Sequence, residues 1–464
     1  MNLAIVIMAA GKGTRLKSRR PKVLHEIGGK PLLAHVIAAA AKIVAPVDMY
    51  VVVGHQADQV EAALASTGVK FVLQAEQLGT GHAIQCAQHA IAGYENILVL
   101  SGDVPLIHPE TIEMLWSFHQ QENAAMTLLS ATPANPVGYG RVIRRTGDPV
   151  AVEAIVEQKS LTSEQEVLGE TNTGIYAFRT APLIGGLGAL TAANSQGEYY
   201  LTDMAGILAA AGERVVAVRA SDAEEVLGAN TIAELVSLDA TLRAQTALRL
   251  MNQGVTIFRP DTCVIDADVE VGPDTVIEPF VQLLGRTRIG SDCLIRSGTV
   301  IENSTLADGV LIRQSCVVAE AVIGSGAKIG PFAHLRPGSE IGEEAHVGNF
   351  VETKKARLGK GAKANHLTYL GDAEIGAGSN IGAGVITCNY DGVSKHVTEI
   401  GEGVFVGSDS TLVAPISLGD GAYIGAGSCI TRDVPADALA VGRGRQVTID
   451  GWAAAKRSRQ KKDS

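Results

Sequence analysis

Glycines and cations are concentrated in one short segment near the N-terminus, MAAGKGTRLKSRRPK (residues 8–22), directly after the apolar run Leu3–Ile7. Glycine lets the backbone approach a ligand closely, and backbone N–H groups can bind phosphate oxygens. Arg15 adds a planar fork for a phosphate, and Lys22 adds a point charge. The segment therefore predicts a phosphate site, with a glycine turn flanked by solvated lysines as the alternative.

A carboxylate suited to metal binding follows a later apolar run, at Asp103 in SGDVP (residues 101–105). Mg²⁺ prefers oxygen ligands and commonly takes only one or two of them from the protein. An aspartate at this place could instead cap a turn. We expect Asp103 to bind a metal ion.

One of the histidines in the second half of the chain, His366 in KANHLTYLGD (residues 363–372), is a candidate general base. Histidine changes its protonation state near neutral pH and can accept a proton from an attacking amine. A histidine on a turn is more often an ordinary surface residue, so the pattern alone leaves both interpretations open.

Up to about residue 230, apolar runs alternate with helical stretches, which predicts a parallel α/β sheet with helices on both faces. In such sheets ligands bind beyond the carboxyl ends of the strands, where the opening loop and SGDVP would both lie. The predicted strands are LAIVIM, MYVVVGH, ILVLSGD and AMTLLS, and the predicted helices are PLLAHVIAAAAKIV, GHAIQCAQHAIAG and PETIEMLWSFHQQ.

A helix is predicted to connect this part of the chain to the next, over TIAELVSLDATLRAQTALRL (residues 231–250). Thr231 followed by Glu234 is a capping-box pattern. Leu235, Leu238 and Leu242 share one face of that helix.

Beyond this helix, apolar residues recur every six positions, a period that belongs to neither a helix nor a plain strand. Small or β-branched residues stand two positions before the early anchors, so each hexad predicts a short strand with two inward side chains. Three hexads closing one triangular coil would build a β-helix. The anchors are Ile265, Val271, Ile277, Leu283, Ile289, Ile295, Ile301, Ile323, Ile329, Leu335, Ile341, Val347, Ile375, Ile381, Ile400, Val406, Leu412, Leu418, Ile424 and Ile430. The inner set is Cys263, Val269, Thr275, Val281, Thr287, Cys293 and Thr299.

The six-residue period is interrupted at VETKKAR (residues 351–357) and at TCNYDGVSKHVTE (residues 387–399). We expect both segments to leave the solenoid as loops, where such folds place binding groups. KRSRQKKDS (residues 456–464) is expected to be a solvated, disordered tail.

Composition limits the class of protein. A chain of 464 residues predicts two or three domains, and a net charge of −10 argues against a nucleic-acid-coating protein. The six cysteines form no C-x-x-C pair, and no apolar run is long enough for a membrane span. The first residues lack the basic start of a signal peptide, so we expect a cytoplasmic protein.

The order of several motifs makes the chain recognisable. G-x-G-T-R…P-K, G-D-V-P, LQAEQLGTGHA, GYGR, NTGIY and GEYYLTD precede the hexapeptide repeat. The chain closely resembles the bifunctional bacterial enzymes that acetylate glucosamine-1-phosphate and then uridylylate it to UDP-N-acetylglucosamine, a precursor of peptidoglycan and lipopolysaccharide. The resemblance implies a Rossmann-like α/β nucleotidyltransferase domain followed by a left-handed parallel β-helix. Physical principles alone would have favoured right-handed crossovers.

The domain boundaries expected from the resemblance are residues 1–230 for uridylyl transfer, 231–254 for the linker helix, 255–450 for the acetyltransferase β-helix and 451–464 for a basic tail. The family uses Mg²⁺, UTP and acetyl-CoA. It forms homotrimers with acetyltransferase sites between subunits.

By the same resemblance, residues of the first domain are expected to bind UTP and the UDP-sugar, with the metal ion on Asp103 and Asn230. Asn230 also precedes the predicted helix and could simply cap it. Ser101 stands where some relatives have tyrosine. The expected contacts are Met8, Ala9, Ala10, Gly11, Arg15, Lys22, Gln74, Gly79, Thr80, Ser101, Gly102, Asp103, Gly140, Glu157, Asn172 and Asn230.

In the second domain the resemblance makes His366 the catalytic base, with Glu352 as a candidate to orient its ring. Arg336 and Lys354 are expected to hold the substrate phosphate, and Tyr369 and Asn380 to contact the sugar. The expected acetyl-CoA contacts are Ala383, Asn389, Tyr390, Ser408, Ala426 and Arg443.

Two other functions remain open at this point. One is a nucleotidyltransferase for another base or hexose, with a purely structural β-helix. The other is a regulatory or exchange-factor subunit with an inactive site. The joint presence of Lys22, Asp103 and Asn230 argues against an inactive site, and His366 with its neighbouring cations argues against a purely structural β-helix.

Overall fold

The computed structural model describes residues 2–194 and 196–460 of the chain. The chain divides into two compact units, Met1–Leu242 and Arg243–Ser464. Within the described ranges, none of the helices combines the length and the apolar character that crossing a membrane requires.

A nine-stranded sheet forms the centre of the first unit. Its continuous path runs through Val215–Arg219, Met126–Ala131, Thr171–Arg179, Asn96–Ser101, Leu3–Met8, Met49–Val53 and Lys70–Leu73. The four predicted strands are present, and Leu3–Met8 is parallel to both of its neighbours. One strand departs from the expected parallel arrangement: Thr171–Arg179 is antiparallel to both Asn96–Ser101 and Met126–Ala131. Arg141–Arg144 and Val152–Val156 form an antiparallel pair attached to that strand at Thr171.

Each face of this sheet packs in a core of its own. Successive residues of a strand point to opposite faces, so alternate residues of one strand enter different cores. Ile5 and Ile7 pack in one core, and Ala4 and Val6 pack in the other. The helices of the unit are Leu32–Ala40, Ala57–Leu64, Thr80–Ile91, Pro109–Gln121, Ser163–Glu166, Thr180–Leu187 and Met204–Ala210. The three predicted helices are among them.

A long helix, Ile232–Asn252, occupies the predicted connection. The Thr231 hydroxyl accepts a hydrogen bond from the Glu234 N–H at 3.2 Å, as the capping box predicts. The Glu234 carboxylate accepts instead from the Asn230 N–H, at 2.7 Å, one residue before the expected donor. Leu238 is buried against Ile27, Leu32 and Leu106.

The second unit is a parallel β-helix made of three sheets. Each strand pairs with a strand one coil later, as when Ile265 lies opposite Leu283. All twenty predicted anchors and all seven residues of the inner set are buried, which confirms the hexad interpretation and makes Cys263 and Cys293 core residues. Some glycines permit this stacking: a Cβ on Gly342 would lie 2.7 Å from the backbone of the next coil.

The strands of the solenoid are short and fall into three ladders. The first contains Thr256–Ile257, Val276–Ile277, Leu294–Ile295, Leu311–Ile312, Lys328–Ile329, His346–Asn349, Lys363–His366, Asn380–Ile381, Phe405–Val406, Tyr423–Ile424 and Leu439–Ala440. The second contains Val264–Ile265, Gln282–Leu284, Val300–Glu302, Val317–Ala319, His334–Leu335, Glu352–Lys354, Tyr369–Gly371, Ile386–Cys388, Thr411–Val413 and Cys429–Ile430. The third contains Glu270–Val271, Arg288–Ile289, Thr305–Leu306, Val322–Ile323, Glu340–Ile341, Arg357–Leu358, Ala373–Ile375, Thr398–Ile400 and Ile416–Leu418.

Two expectations about the second unit need correction. Residues 351–357 do not leave the solenoid: Thr353 is fully buried in an anchor position between Leu335 and Leu370. The tail is solvated, but Trp452–Gln460 forms an exposed helix rather than disordered chain. Residues 461–464 of that tail lie outside the described residues. Between Asn389 and Val397 the chain does form a loop.

Candidate functional site

A cleft of about 570 Å³ opens at the carboxyl ends of the strands Leu3–Met8 and Asn96–Ser101. The opening loop forms one wall of it. Gly13 has φ +59°, and a Cβ at this position would lie 2.7 Å from Lys22 Cβ. The glycine is therefore required for the loop to fold back on Lys22. The cleft is lined by Met8, Ala9, Ala10, Gly11, Lys12, Gly13, Thr14, Lys22, Val23, Gln74, Gln77, Gly79, Thr80, Ala83, Ser101, Asp103 and Glu198.

Polar groups from distant parts of the first unit meet at the Lys22 ammonium. Lys22 pairs with the Asp103 carboxylate and donates to Asn230 Oδ1 at 2.8 Å. Arg15 donates to the same Asn230 oxygen at 2.7 Å. Asn230 therefore does not cap the helix with its side chain, because Thr231 does so.

The oxygens of Asp103 and Asn230 fit a hard divalent cation. One carboxylate and one amide oxygen, held within reach of the same positive charge, are a donor set that Mg²⁺ accepts. Among the described residues there is no cluster of three or more His, Cys, Asp or Glu side chains that would form an all-protein metal cage. A cation here would therefore complete its coordination with substrate and water oxygens.

A second group of expected residues lies together beside the cleft. The Asn172 N–H donates to the Gly140 carbonyl at 2.9 Å, and a Cβ on Gly140 would lie 3.7 Å from Glu157 Cα. Glu157 accepts a hydrogen bond from Thr202 at 3.1 Å. Burial raises the pKa of the Glu157 carboxyl, and the nearby charges of Asp203 and Glu198 add to that effect.

Around the same cleft, backbone contacts connect the remaining expected residues. The Gly102 N–H donates to the Met8 carbonyl at 2.9 Å, and the Ser101 hydroxyl donates to the Gly174 carbonyl at 3.3 Å. The Thr80 hydroxyl accepts from the Leu201 N–H at 3.0 Å. Ten of the sixteen residues expected in this site line the cleft, and Arg15 and Asn230 join it through their contacts with Lys22 and Asp103.

Sequence reasoning missed two residues that shape this site, Tyr139 and Arg141. Burial and the carboxylates of Glu234 and Asp103 raise the pKa of the Tyr139 phenol, and the charge of Arg15 opposes this rise. Arg141 is 2% exposed, and it donates to the carbonyls of Leu168, Pro136 and Tyr139. Both residues belong to the motif GYGR (residues 138–141), in which an arginine begins the strand Arg141–Arg144.

In the second unit, His366 lies on the strand Lys363–His366, opposite Asn349 of the preceding coil. The His366 Nδ1–H donates to Asn349 Oδ1 at 2.7 Å. Nε2 is therefore the nitrogen that carries the lone pair. Glu352, the candidate for orienting this ring, is bound instead to Arg336 at 2.8 Å.

Cations gather on the ladder that follows the one carrying this histidine. A side-chain hydrogen bond with Lys395, from the loop after Asn389, and the charge of Lys395 lower the pKa of the Lys354 ammonium. Arg336 contributes in the same direction, and Asp372 opposes it. Lys395 was missed because its position depends on the course of the loop. Three like charges held together predict a site for a polyanionic group.

Tyr369 lies opposite Glu352 in the second ladder, and Asn380 lies opposite Lys363 in the first ladder, which also carries His366. Asn389 at the base of the loop donates to Asp372. The exposed Tyr390 donates to the Gly392 carbonyl at 2.6 Å.

A row of small residues runs along one corner of the solenoid. Ala383, Ser408 and Ala426 follow the anchors Ile381, Val406 and Ile424 by two positions, so they stack coil upon coil. Arg443 donates to the Ala426 carbonyl at 2.6 Å. The row forms a narrow surface with a cation at one end.

Comparisons with known proteins match the two units of the chain to different families of domain. Residues 5–165 match the MobA-like NTP transferase domain, residues 259–356 match the GMPPB C-terminal domain, and residues 398–432 match the bacterial transferase hexapeptide of six repeats. The "Bifunctional protein GlmU" of Koribacter versatilis is 63% identical over 99% of this chain and 98% of its own length. Proteins with the same name are 51% identical in Stutzerimonas stutzeri and 44% identical in Streptococcus agalactiae, over 97% of this chain and 99% and 97% of their own lengths.

The three carbonyl contacts of Arg141 generate a prediction. Arg141→Lys keeps the charge but removes the fork, so that carbonyls of the loop before the strand lose their donors. We expect a loss of about 1–3 kcal/mol of stability, because buried acceptors are left unpaired. The loss of stability should lower the midpoint of the first unit's unfolding transition. It should also speed up hydrogen exchange at the backbone amides of residues 137–140. The exposed Arg145→Lys is the matched control; equal midpoints for the two variants would contradict the anchoring role.

Proposed function

The chain belongs to the GlmU family of bifunctional proteins, and on that basis we propose a role for the side chains of its two sites. The chain is a bifunctional transferase that makes UDP-N-acetylglucosamine. Its left-handed β-helix transfers acetyl from acetyl-CoA to glucosamine-1-phosphate. Its α/β unit then transfers uridylyl from UTP to N-acetylglucosamine-1-phosphate and releases pyrophosphate. The product is a precursor of peptidoglycan and lipopolysaccharide.

For uridylyl transfer, the opening loop binds the triphosphate of UTP. The N–H groups between Met8 and Gly11 bind phosphate oxygens, and Arg15 and Lys22 offset their charge. A phosphate oxygen of the sugar phosphate attacks the α-phosphorus in line. The bond from the α-phosphorus to the bridging oxygen breaks, and pyrophosphate carries that electron pair away. Positioning and charge neutralisation supply the catalysis, so no covalent enzyme intermediate forms.

Asp103 and Asn230 are the ligands we propose for a divalent cation, which is Mg²⁺. The observation in support is that their oxygens already lie within reach of one ammonium, that of Lys22. The bound ion supplies positive charge to the phosphate oxygens. Lys22 and Arg15 both donate to Asn230 Oδ1 and hold this side chain beside Asp103.

The remaining residues of the cleft select the two substrates. Gln74, Gly79 and Thr80 contact the nucleobase, and Ser101 and Gly102 lie at the strand end beside the phosphates. Gly140, Glu157 and Asn172 contact the acetylated sugar. The raised pKa of Glu157 reflects a largely dehydrated setting, in which a hydrogen bond to a sugar hydroxyl or amide discriminates strongly.

For acetyl transfer, His366 Nε2 accepts the proton of the substrate amine as the amine nitrogen attacks the thioester carbon. The new C–N bond forms, the C–S bond breaks, and CoA leaves as the thiol after taking up a proton. Asn349 keeps the ring oriented and fixes the proton on Nδ1. This fixed ring is the observation that best supports catalysis by the solenoid.

The cations beside His366 hold the sugar phosphate in this proposal. Arg336, Lys354 and Lys395 bind the phosphate, and Tyr369 and Asn380 contact the sugar ring. Acetyl-CoA lies along the corner formed by Ala383, Ser408 and Ala426. Asn389, Tyr390 and Arg443 complete its contacts.

The protein is proposed to work in the cytoplasm as a homotrimer with acetyltransferase sites between subunits. Phe332 and Phe350 stack at 5.3 Å on consecutive coils, and both are more than half exposed, as is Leu367 next to His366. An apolar strip of this kind is stabilised by burial against another copy of the chain.

Sedimentation of the full chain tests the trimer. We expect a single species of three times the 48.3 kDa monomer. Phe350→Asp should shift it toward monomers, since a charge cannot be buried there without a partner. A wild-type monomer would contradict the shared-site arrangement.

Asp103→Asn tests the cation site. The change preserves shape and removes the charge that holds a divalent ion, so UDP-sugar formation should fall by at least about a hundredfold. Thiol release from acetyl-CoA should stay normal, because its residues belong to the other unit. Asp222→Asn, an exposed control, should leave both activities intact. Equal loss of both activities in Asp103→Asn would identify a folding residue rather than a ligand.

His366→Ala tests the acetyltransferase. General-base assistance is worth about 10²–10⁴-fold, so kcat of thiol release should fall by that factor with little change in KM. Uridylyl transfer, assayed in parallel, should be unaffected. Near-normal acetyl transfer by the variant would favour a nucleotidyltransferase with a purely structural β-helix.

A further inference from the structure

Gln74 is an almost fully buried amide at the wall of the nucleotide cleft. It directly follows the strand Lys70–Leu73, is 3% exposed, and lines the cleft. A buried amide must satisfy its two hydrogens and its oxygen separately. Which of its two ends faces the cleft determines what kind of group the cleft can recognise.

The partners of Gln74 settle that orientation. Its Nε2 lies 3.0 Å from the Gly79 carbonyl, which can only accept, so the nitrogen end of the amide points to that loop. The second hydrogen on Nε2 goes to His82 Nδ1 at 3.1 Å. With both hydrogens used, Oε1 is the end that remains for a ligand in the cleft.

His82 is in turn held in place by its own surroundings. It lies in the first turn of the helix Thr80–Ile91, with its ring 6.4 Å from that of Tyr199. Because Nδ1 accepts from Gln74, the ring carries its proton on Nε2, which faces the Cys86 sulfur at 3.8 Å. The tautomer and the amide orientation thus fix each other.

We propose that His82 is a positioning residue for nucleobase selection, an inference that rests on the uridylyltransferase function proposed above. By accepting from Gln74, it keeps Oε1 directed at the base as a hydrogen-bond acceptor. Uracil presents an N–H at N3, which such an acceptor binds, whereas cytosine presents a lone pair there, which it repels. Without His82 only the Gly79 carbonyl holds this orientation, so the amide turns over more readily and can present its NH₂ group, which suits cytosine N3.

The experiment measures kcat/KM for UTP and for CTP in the full chain, with N-acetylglucosamine-1-phosphate as the second substrate. In His82→Leu the acceptor is lost, so the ratio of UTP to CTP should fall by about tenfold or more, the worth of one buried hydrogen bond. In the same variant, kcat/KM for CTP should stay constant or rise. His82→Asn offers its side-chain oxygen near the place of Nδ1 and should restore most of the ratio.

If His82 had a structural role alone, the substitution would lower kcat/KM for UTP and for CTP by the same factor. An unchanged ratio would therefore overturn the proposal. His89→Leu, on the exposed side of the same helix, is the control for the loss of a helical histidine. If His82→Leu does not fold, His82→Phe keeps the ring volume and still removes the acceptor. A wild-type enzyme that does not use UTP would refute the proposed function instead, so the two failures are distinguishable.

Discussion

Parallel strand pairing is the constraint from which both sites follow. Because parallel neighbours end at the same edge, residues far apart in the chain come to lie side by side. In the first unit this pairing places Met8 opposite Ser101, so the opening loop and the segment carrying Asp103 share one edge. In the second unit it places Asn349 opposite His366, and the hydrogen bond that orients the histidine is a consequence of ladder register.

The fold was largely readable from the sequence because most of its elements are strongly periodic. The hexad anchors identify the solenoid because each predicted anchor position is occupied by Ile, Leu or Val. Where Thr353 and Ala364 take that place, the periodicity disappears from the sequence although the coil continues. Strand direction left no such trace, and the antiparallel Thr171–Arg179 became visible only in the structure.

The candidate site residues also divide into those that the sequence reveals and those that only the structure reveals. Asp103 and His366 were recognisable because their chemistry is rare in their surroundings and motifs flank them. Asn349, Lys395, Tyr139, Arg141 and His82 were not, because each acts through a contact that depends on register, loop course or burial. Glu352 was only a candidate for orienting the His366 ring, and the structure gives that place to Asn349, because the pairing of Glu352 with Arg336 is a tertiary contact that spacing does not reveal.

The close backbone stacking at positions such as Gly342 also governs how the gene for the solenoid can change in length. A single codon inserted within a strand would reverse the inward and outward alternation of the remaining residues of that strand. At the corners the chain tolerates such changes: Ile289 pairs with Leu306, one residue short of the usual eighteen, and residues 389–397 are added at another corner. Viable insertions and deletions are therefore confined to corners or to whole coils. New binding loops can arise at the corners without disturbing the core beneath them.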